Sequence, residues 1–281
     1  MTERLADVSG HIATVRQLGA VVNAMRGIAA ARAQQGRAVL PAVRAYADVA
    51  AQAIGQALLL DEIVPIAPAP GRAAPPGLLV FGAEQGFAGA FADTLLDGAA
   101  PAFAGAHVLL VGSRAASLAR ERGLAVAASF AAPLRATGIA EVAAVLIEAL
   151  TAYLDASGAS RIDMIFPVWT PGHGLKVTRR SLLPLDLSRF TIPDRTPLIQ
   201  LPLPALLERL TEEYVFAQIC EAATESFAAE NEARVSTMAA AGTNIDEKLA
   251  ALQALERMTR QEAVTAEVVE LASGARSRRR H

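Results

Sequence analysis

Cysteine is nearly missing from this chain, with Cys220 standing alone among 281 residues. A single thiol excludes an internal disulfide and suits a reducing compartment. Lysine is almost as scarce: Lys176 and Lys248 are the only ones, so arginine carries the rest of the cationic charge. Net charge is −2, which gives no general pull toward nucleic acid or anionic lipid. The N-terminal MTERLADVSGHIATVRQ lacks the apolar block of a signal peptide. No unbroken run of about eighteen apolar residues exists, so no direct membrane insertion is expected.

Signatures of chemistry are also short. No Gly-Lys-Ser/Thr follows the glycine-rich stretch, which excludes a Walker loop there. His11, His107, His173 and His281 are scattered without metal-ligand spacing. His107 opens an apolar strand and reads as structural, and His173 sits in the turn TPGHG and reads as solvated. Cys220 has apolar neighbours on a helix and reads as a packed thiol. No catalytic residue, cofactor site or metal site is expected.

What is present is apolar content, 53% of the chain, enough to bury a sizeable core. Before a proline-rich break at 65–77, apolar residues recur at helical spacing. Leu5, Val8, Ile12, Val15, Gly19 and Val22 form a heptad seam. Pro41 is expected to kink this helix or end it. After the break, apolar runs alternate with helical segments: strands at 78–81, 108–111, 125–130 and 162–166, helices at 88–103, 114–122 and 139–156. That order implies a mostly parallel sheet with helical cover. Residues 172–185 read as an added turn and strand at one edge, and 186–204 as proline-broken and extended.

From Ala205 to Ala275 no proline occurs, and glycine only at 242 and 274. About 70 helical residues make a rod of ~105 Å, against a diameter of roughly 50 Å for a compact chain of this size. Val235, Met238, Gly242, Ile245, Leu249 and Leu252 make a second heptad seam. Two seams at opposite ends predict an antiparallel coiled coil of the N- and C-terminal helices, with a Rossmann-like α/β domain inserted between them. The expected parts are an N-terminal helix over 1–60, the α/β domain over 61–204 and a long C-terminal helix over 205–281. Gly19 and Gly242 each hold a seam position and are expected to face each other. The basic end RSRRRH, 276–281, reads as a frayed, solvated tail.

The stretch GAEQGFAGAF, 82–91, follows the first strand. Its glycines fall in the pattern G-x-x-x-G-x-x-G, not the dinucleotide pattern G-x-G-x-x-G. Glu84 stands where a glycine should let pyrophosphate approach, and an anion there repels phosphate. A tight strand-to-helix turn accounts for the small residues. The rival readings are a Rossmann-like nucleotide-binding enzyme using this loop, and a coiled-coil interaction protein.

The C-terminal RQEAVTAEVVELASGARS, 260–277, resembles the signature of the F-type ATP synthase gamma subunit. Val264, Thr265, Glu267, Glu270, Gly274 and Ala275 meet that pattern, with Arg260-Gln261 just upstream. ESFAAENEARVSTMAAAGTN, 225–244, matches the preceding family segment at Glu225, Ser226, Ala228, Glu230, Ala233, Arg234, Met238, Ala241 and Asn244. At the N-terminus Ala24, Met25, Ala29 and Ala30 hold their places, and 82–91 occupies the position of a structural turn of the family. Ala20, Asn23, Gly27, Glu84-Gln85, Ala88, Phe166-Pro167-Val168-Trp169 and Glu256-Arg257 depart from the pattern and mark a divergent branch.

The resemblance implies a non-catalytic rotor shaft of a rotary ATPase. Its expected partners are the ring of ATP synthase alpha and beta subunits, the epsilon subunit and the membrane c-ring, in a peripheral complex on the cytoplasmic face of the bacterial inner membrane. Rotation would couple ion or proton transport to ATP synthesis or hydrolysis at the beta subunits. The residues expected to touch partners are Met25, Arg32, Arg260, Gln261, Thr265 and Glu267. Arg260 and Gln261 would hydrogen-bond a beta-subunit loop, and Met25 and Arg32 would lie near beta's acidic lever.

Overall fold

The computed structural model describes residues 2–60, 74–187, 190 and 197–278, and only the backbone for 2–4 and 270–278. Residues 61–73, residues 188–189 and 191–196 of the segment 186–204, and the last residues of the basic tail lie outside the described residues. The element order is α1 (Thr2–Ala57), β1 (Gly77–Phe81), α2 (Phe91–Ala99), β2 (His107–Val111), α3 (Ser113–Glu121), β3 (Ala128–Phe130), α4 (Ile139–Ser157), β4 (Ile162–Thr170), β5 (Gly174–Leu183) and α5 (Leu203–Arg278). The chain divides into two compact units, residues 1–28 with 235–281, and residues 29–234.

In the first unit, the seam residues Val8, Ile12, Val22, Met238 and Ile245 are buried, while Leu5, Val15, Gly19, Val235, Gly242, Leu249 and Leu252 are half-buried. Val22, Met238 and Ile245 make a small core, flanked by Val15, Met25, Ala241 and Leu249. Contacts between α1 and α5 run antiparallel. Ser9 Oγ donates to Glu256 Oε1 at 3.0 Å, and Gly19 lies opposite Ile245. Ten residues forward on α1 thus move the contact back eleven on α5. The expected pairing of Gly19 with Gly242 is not found. A Cβ on Gly19 would meet Ile245 Cγ2 at 3.3 Å, and nothing lies within 4 Å of one on Gly242. A seam shows which face of a helix turns inward but does not fix which residue lies opposite.

In the second unit, the strands lie in the order β3-β2-β1-β4-β5. The first four are parallel, and β5 is an antiparallel edge on β4. β1 is buried along its whole length, as a parallel strand covered on both faces must be. On one face Leu78, Val80, Val108, Leu110 and Ile165 pack on α2 and α3. On the other, Leu79, Phe81, Leu109, Met164 and Phe166 pack on α4. The segment Ala136–Ser157, which contains α4, is long and apolar enough by length and composition to cross a membrane. Its Ile139, Ala143, Leu146 and Leu150 are buried in this second face.

α5 contributes to both layers, with Ile219, Cys220, Ala222 and Ala223 on one side and Ala229 and Ala233 on the other. From Ala217 to Arg234 every residue but Glu232 is buried. This stretch is enclosed all round. Pro41 lies within α1 and does not end it. It stands at an exposed position, so the missing N–H falls on the water side, while Ala33, Ala47, Ala50 and Ile54 bury the opposite face.

Candidate functional site

The turn after β1 is built by close backbone approach. A Cβ on Gly82 would come within 2.3 Å of Ala115 Cβ. Gly112, at φ +113, leaves no room for one against the Ala83 carbonyl. These glycines bring the start of α3 beside the loop. There the Glu84 carboxylate accepts the Ser113 N–H at 3.0 Å, the Ser113 hydroxyl at 2.8 Å and the Ala132 N–H at 2.7 Å. An anion belongs at a helix N-terminus, where free N–H groups and the helix dipole favour negative charge. The chain supplies that anion itself, so the donors that a phosphate would use are already taken.

The backbone of the same loop is held by α5. Glu230 accepts the N–H groups of Glu84 at 2.9 Å and Gln85 at 3.1 Å. Arg234 donates to the carbonyls of Gln85 at 3.3 Å and Gly86 at 3.1 Å, and to Asn231 Oδ1 at 3.1 Å. Arg234 also pairs with Glu230. From α1, Arg32 donates to Gln85 Oε1 at 3.3 Å. Next in the loop, Phe87 adopts φ 62 with its side chain 69% exposed.

A second polar cluster lies nearer the start of α5. Arg44 donates to Glu221 at 3.1 Å and Glu225 at 2.5 Å, while Arg180 on β5 donates to Glu221 and to Gln218, both at 2.7 Å. Burial pushes the Glu221 carboxyl up, yet Arg180 and Arg44 together outweigh it and hold the group below its ordinary range. Burial also pushes Glu225 up, and there the attraction to Arg44 does not reverse it. Burial alone raises the Cys220 thiol to about 11. Among the described residues no group of three His, Cys, Asp or Glu side chains could hold a metal ion. His107 stacks on Tyr153 with ring centroids 3.9 Å apart.

The residues expected to touch partners fall into two sets. Met25 is half-buried against the Val22–Met238–Ile245 core, and Arg32 is engaged with Gln85. Arg260, Gln261, Thr265 and Glu267 are exposed on α5. Arg260 is linked to Glu256 at 3.3 Å, and the Thr265 hydroxyl donates to the Gln261 carbonyl at 2.8 Å. Beside them Met258, Val264, Val268 and Val269 are each more than half exposed. Met258, Gln261, Thr265 and Val269 line one shallow groove on α5.

The sequence profile of the family described as ATP synthase matches residues 4–277. The chain belongs to the ATP synthase gamma-chain family. The gamma chain of Parafrankia sp. (strain EAN1pec) is 27% identical, over 98% of both chains. That of Anaeromyxobacter sp. (strain Fw109-5) is 26% identical, over 96% of this chain and 98% of the relative. Among solved structures, a chain of the Euglena gracilis mitochondrial ATP synthase OSCP/F1/c-ring assembly superposes with a TM-score of 0.70 at 12% identity, covering 99% of this chain and 95% of that one. A chain of the Tetrahymena thermophila central stalk/c-ring gives 0.56 at 18% identity, covering 79% and 99%. The fold is thus shared with chains of two mitochondrial ATP synthases at low identity, and as a member of the family matched above the chain is a non-catalytic subunit.

Sequence reasoning singled out Glu225, Glu230 and Arg234 only as matches to a family segment. It did not find that they are buried and bonded to other elements, or that Glu221, Arg44 and Arg180 gather beside Glu225. Helical periodicity marks one buried face, and here all faces are covered.

Proposed function

We propose that the chain is the central rotor shaft of an F-type ATP synthase. The antiparallel run of α1 against α5 in the unit formed by 1–28 and 235–281 carries this reading, because a shaft that transmits torque needs two helices braced against each other. On this reading the seams wind as an antiparallel coiled coil inside a ring of alpha and beta subunits. The 1–60 and 205–281 segments supply the shaft, and the 61–204 domain serves the epsilon subunit and the c-ring. The complex sits peripherally on the cytoplasmic face of the bacterial inner membrane.

Such a shaft does no bond chemistry. A ligand or partner shifts a conformational equilibrium only by binding its states unequally. A rod whose sides differ meets the three beta subunits differently at each angle, and turning it therefore cycles their nucleotide affinities. The exposed Arg260, Gln261, Thr265 and Glu267 are the polar grips, with the arginine fork suited to carboxylates. Exposed Val264, Val268 and Val269 offer apolar contact beside them.

The test is reconstitution with the alpha and beta subunits of the same organism. The expected result is a complex whose ATP hydrolysis turns a bead fixed to the α/β domain. If the chain forms no complex with the ring, the proposal falls.

A further inference from the structure

We infer that the loop 84–86 is a torque clasp, through which Glu230 and Arg234 lock the 217–234 stretch of α5 to the sheet so that this stretch and the α/β domain turn together. The inference rests on the shaft reading above and adds the residues that carry torque within the chain.

The grip is two-sided. Glu230 takes two successive N–H groups, of Glu84 and Gln85, and Arg234 gives to two successive carbonyls, of Gln85 and Gly86. The two residues are one helical turn apart, so they project from the same face of α5. They also bind each other, with side chains only 7% and 8% exposed. A buried ion pair is weak evidence of stability, because well-packed apolar residues often serve as well. What it adds is direction. Apolar contact is non-directional and lets a helix slip about its axis, whereas four hydrogen bonds to fixed backbone groups do not.

The far side of the loop is anchored too. The Glu84 carboxylate holds the N–H and hydroxyl of Ser113, which follows β2, and the N–H of Ala132, which follows β3. A bonded path therefore runs from α5 through three loop residues to the ends of two strands. Arg32 adds a strut from α1 to Gln85. The loop shows independent signs of being held. Phe87 keeps a left-handed φ of 62 that a non-glycine residue adopts only when its surroundings over-determine it. Nothing in its own side chain explains this, since it is largely exposed.

The experiment uses the whole ATPase in sealed vesicles, with wild type, the Glu230→Gln/Arg234→Met double variant and an Arg122→Gln control. Arg122 pairs with Asp93 and Asp97, away from the loop. Two quantities are read: ions transported per ATP hydrolysed, and hydrogen exchange at the amides of residues 84 and 85. In the double variant, exchange is expected to rise about fivefold or more, the change that follows loss of one net hydrogen bond. Ions transported per ATP should fall with it, while the control keeps the wild-type ratio. A merely structural role would lower yield or melting temperature without separating hydrolysis from transport. If the double variant does not assemble, Glu84→Gln is read the same way and should show a smaller loss of the same sign. An unchanged ratio in variants that assemble overturns the clasp and leaves the shaft standing. A wild-type complex that transports no ions on hydrolysis overturns both.

Discussion

Replacing Gly27 by alanine and Gly36 by valine, nine residues apart on α1, should move stability in opposite directions. Both glycines sit inside a helix, where glycine is about 1 kcal/mol less favourable than alanine. At Gly27 nothing lies within 4 Å of an added Cβ, so Gly27→Ala should gain most of that ~1 kcal/mol. At Gly36 an added Cβ would meet Ala228 Cβ at 3.1 Å, Phe227 Cδ1 at 3.2 Å and Ala228 Cα at 3.4 Å. Ala228 cannot turn aside, because its contacting atoms are fixed to the backbone of α5. Valine adds two further carbons on a stiff χ1, and overpacking of this kind costs about 1–3 kcal/mol. A net loss of ~2 kcal/mol is expected, so the variants should differ by about 3 kcal/mol. Urea unfolding followed at 222 nm reads this directly, and by heat the gap corresponds to roughly 6 °C or more. Gly36→Ala should fall between the two. If Gly36→Val matches wild type, α1 and α5 do not approach as closely as the structure has them. If Gly27→Ala loses stability, that face is not open.

Phe87→Gly should be neutral or stabilising by up to about 1 kcal/mol, because it relieves a left-handed φ at the cost of backbone entropy and exposes little new apolar surface. A loss beyond ~1 kcal/mol in the isolated chain would mean that the ring is packed against something. The two buried glutamates should show opposite pH behaviour. The Glu221 carboxyl is held below its ordinary value of 4.5, so its contribution is present at neutral pH and is lost as pH falls through its folded pKa. Glu221→Gln should therefore destabilise at pH 7, by an amount that shrinks in acid. Glu225 is raised above 4.5, so its protonated form is the favoured one in the folded state and that advantage disappears as pH rises toward neutrality. Glu225→Gln should cost less than Glu221→Gln at pH 7, and the reverse order in a pH series of denaturation midpoints would contradict the geometry. Cys220, buried and raised to about 11, should resist iodoacetamide at pH 8 in the native chain and react at once in urea. Rapid native labelling would show that α5 is not seated on the sheet.

Much of the fold could be read from simple physical signals. Buried parallel strands are short apolar runs, and β1, β2 and β4 are legible for that reason, while β3 is exposed or half-buried. The added turn and strand expected over 172–185 is the edge strand β5, exposed or half-buried along its length except at Leu182. The length of α5 followed from the missing prolines. Of the two outcomes expected at Pro41, a kink or an end, the helix does not end, because proline's penalty depends on whether its ring and lost donor face the core or water, which a residue name does not encode. The same limit applies to Gly19. Heptad spacing fixes a face, whereas the residue opposite depends on the axial offset between two helices, and that offset is set by the sum of contacts along both.

The glycine loop shows where sequence and structure divide the work. Spacing alone gave a tight turn, and the carboxylate at Glu84 argued against a phosphate by repulsion. The geometry makes a stronger statement from the same residue: the charge that would repel an anion takes the anion's place at the start of α3. The buried polar stretch of α5 follows similar logic. On α5 Gln218, Glu221 and Glu225 lie on one side and Glu230 and Arg234 on the opposite side, and composition alone would put both sets in water, because such residues are rarely buried unless paired. Here Glu221, Glu225 and Glu230 are paired by arginines, and Gln218 by Arg180. A chain whose task is to turn without slipping gains from this arrangement, since directional bonds to neighbouring elements fix the angle of a helix about its axis where an apolar surface would only hold it close.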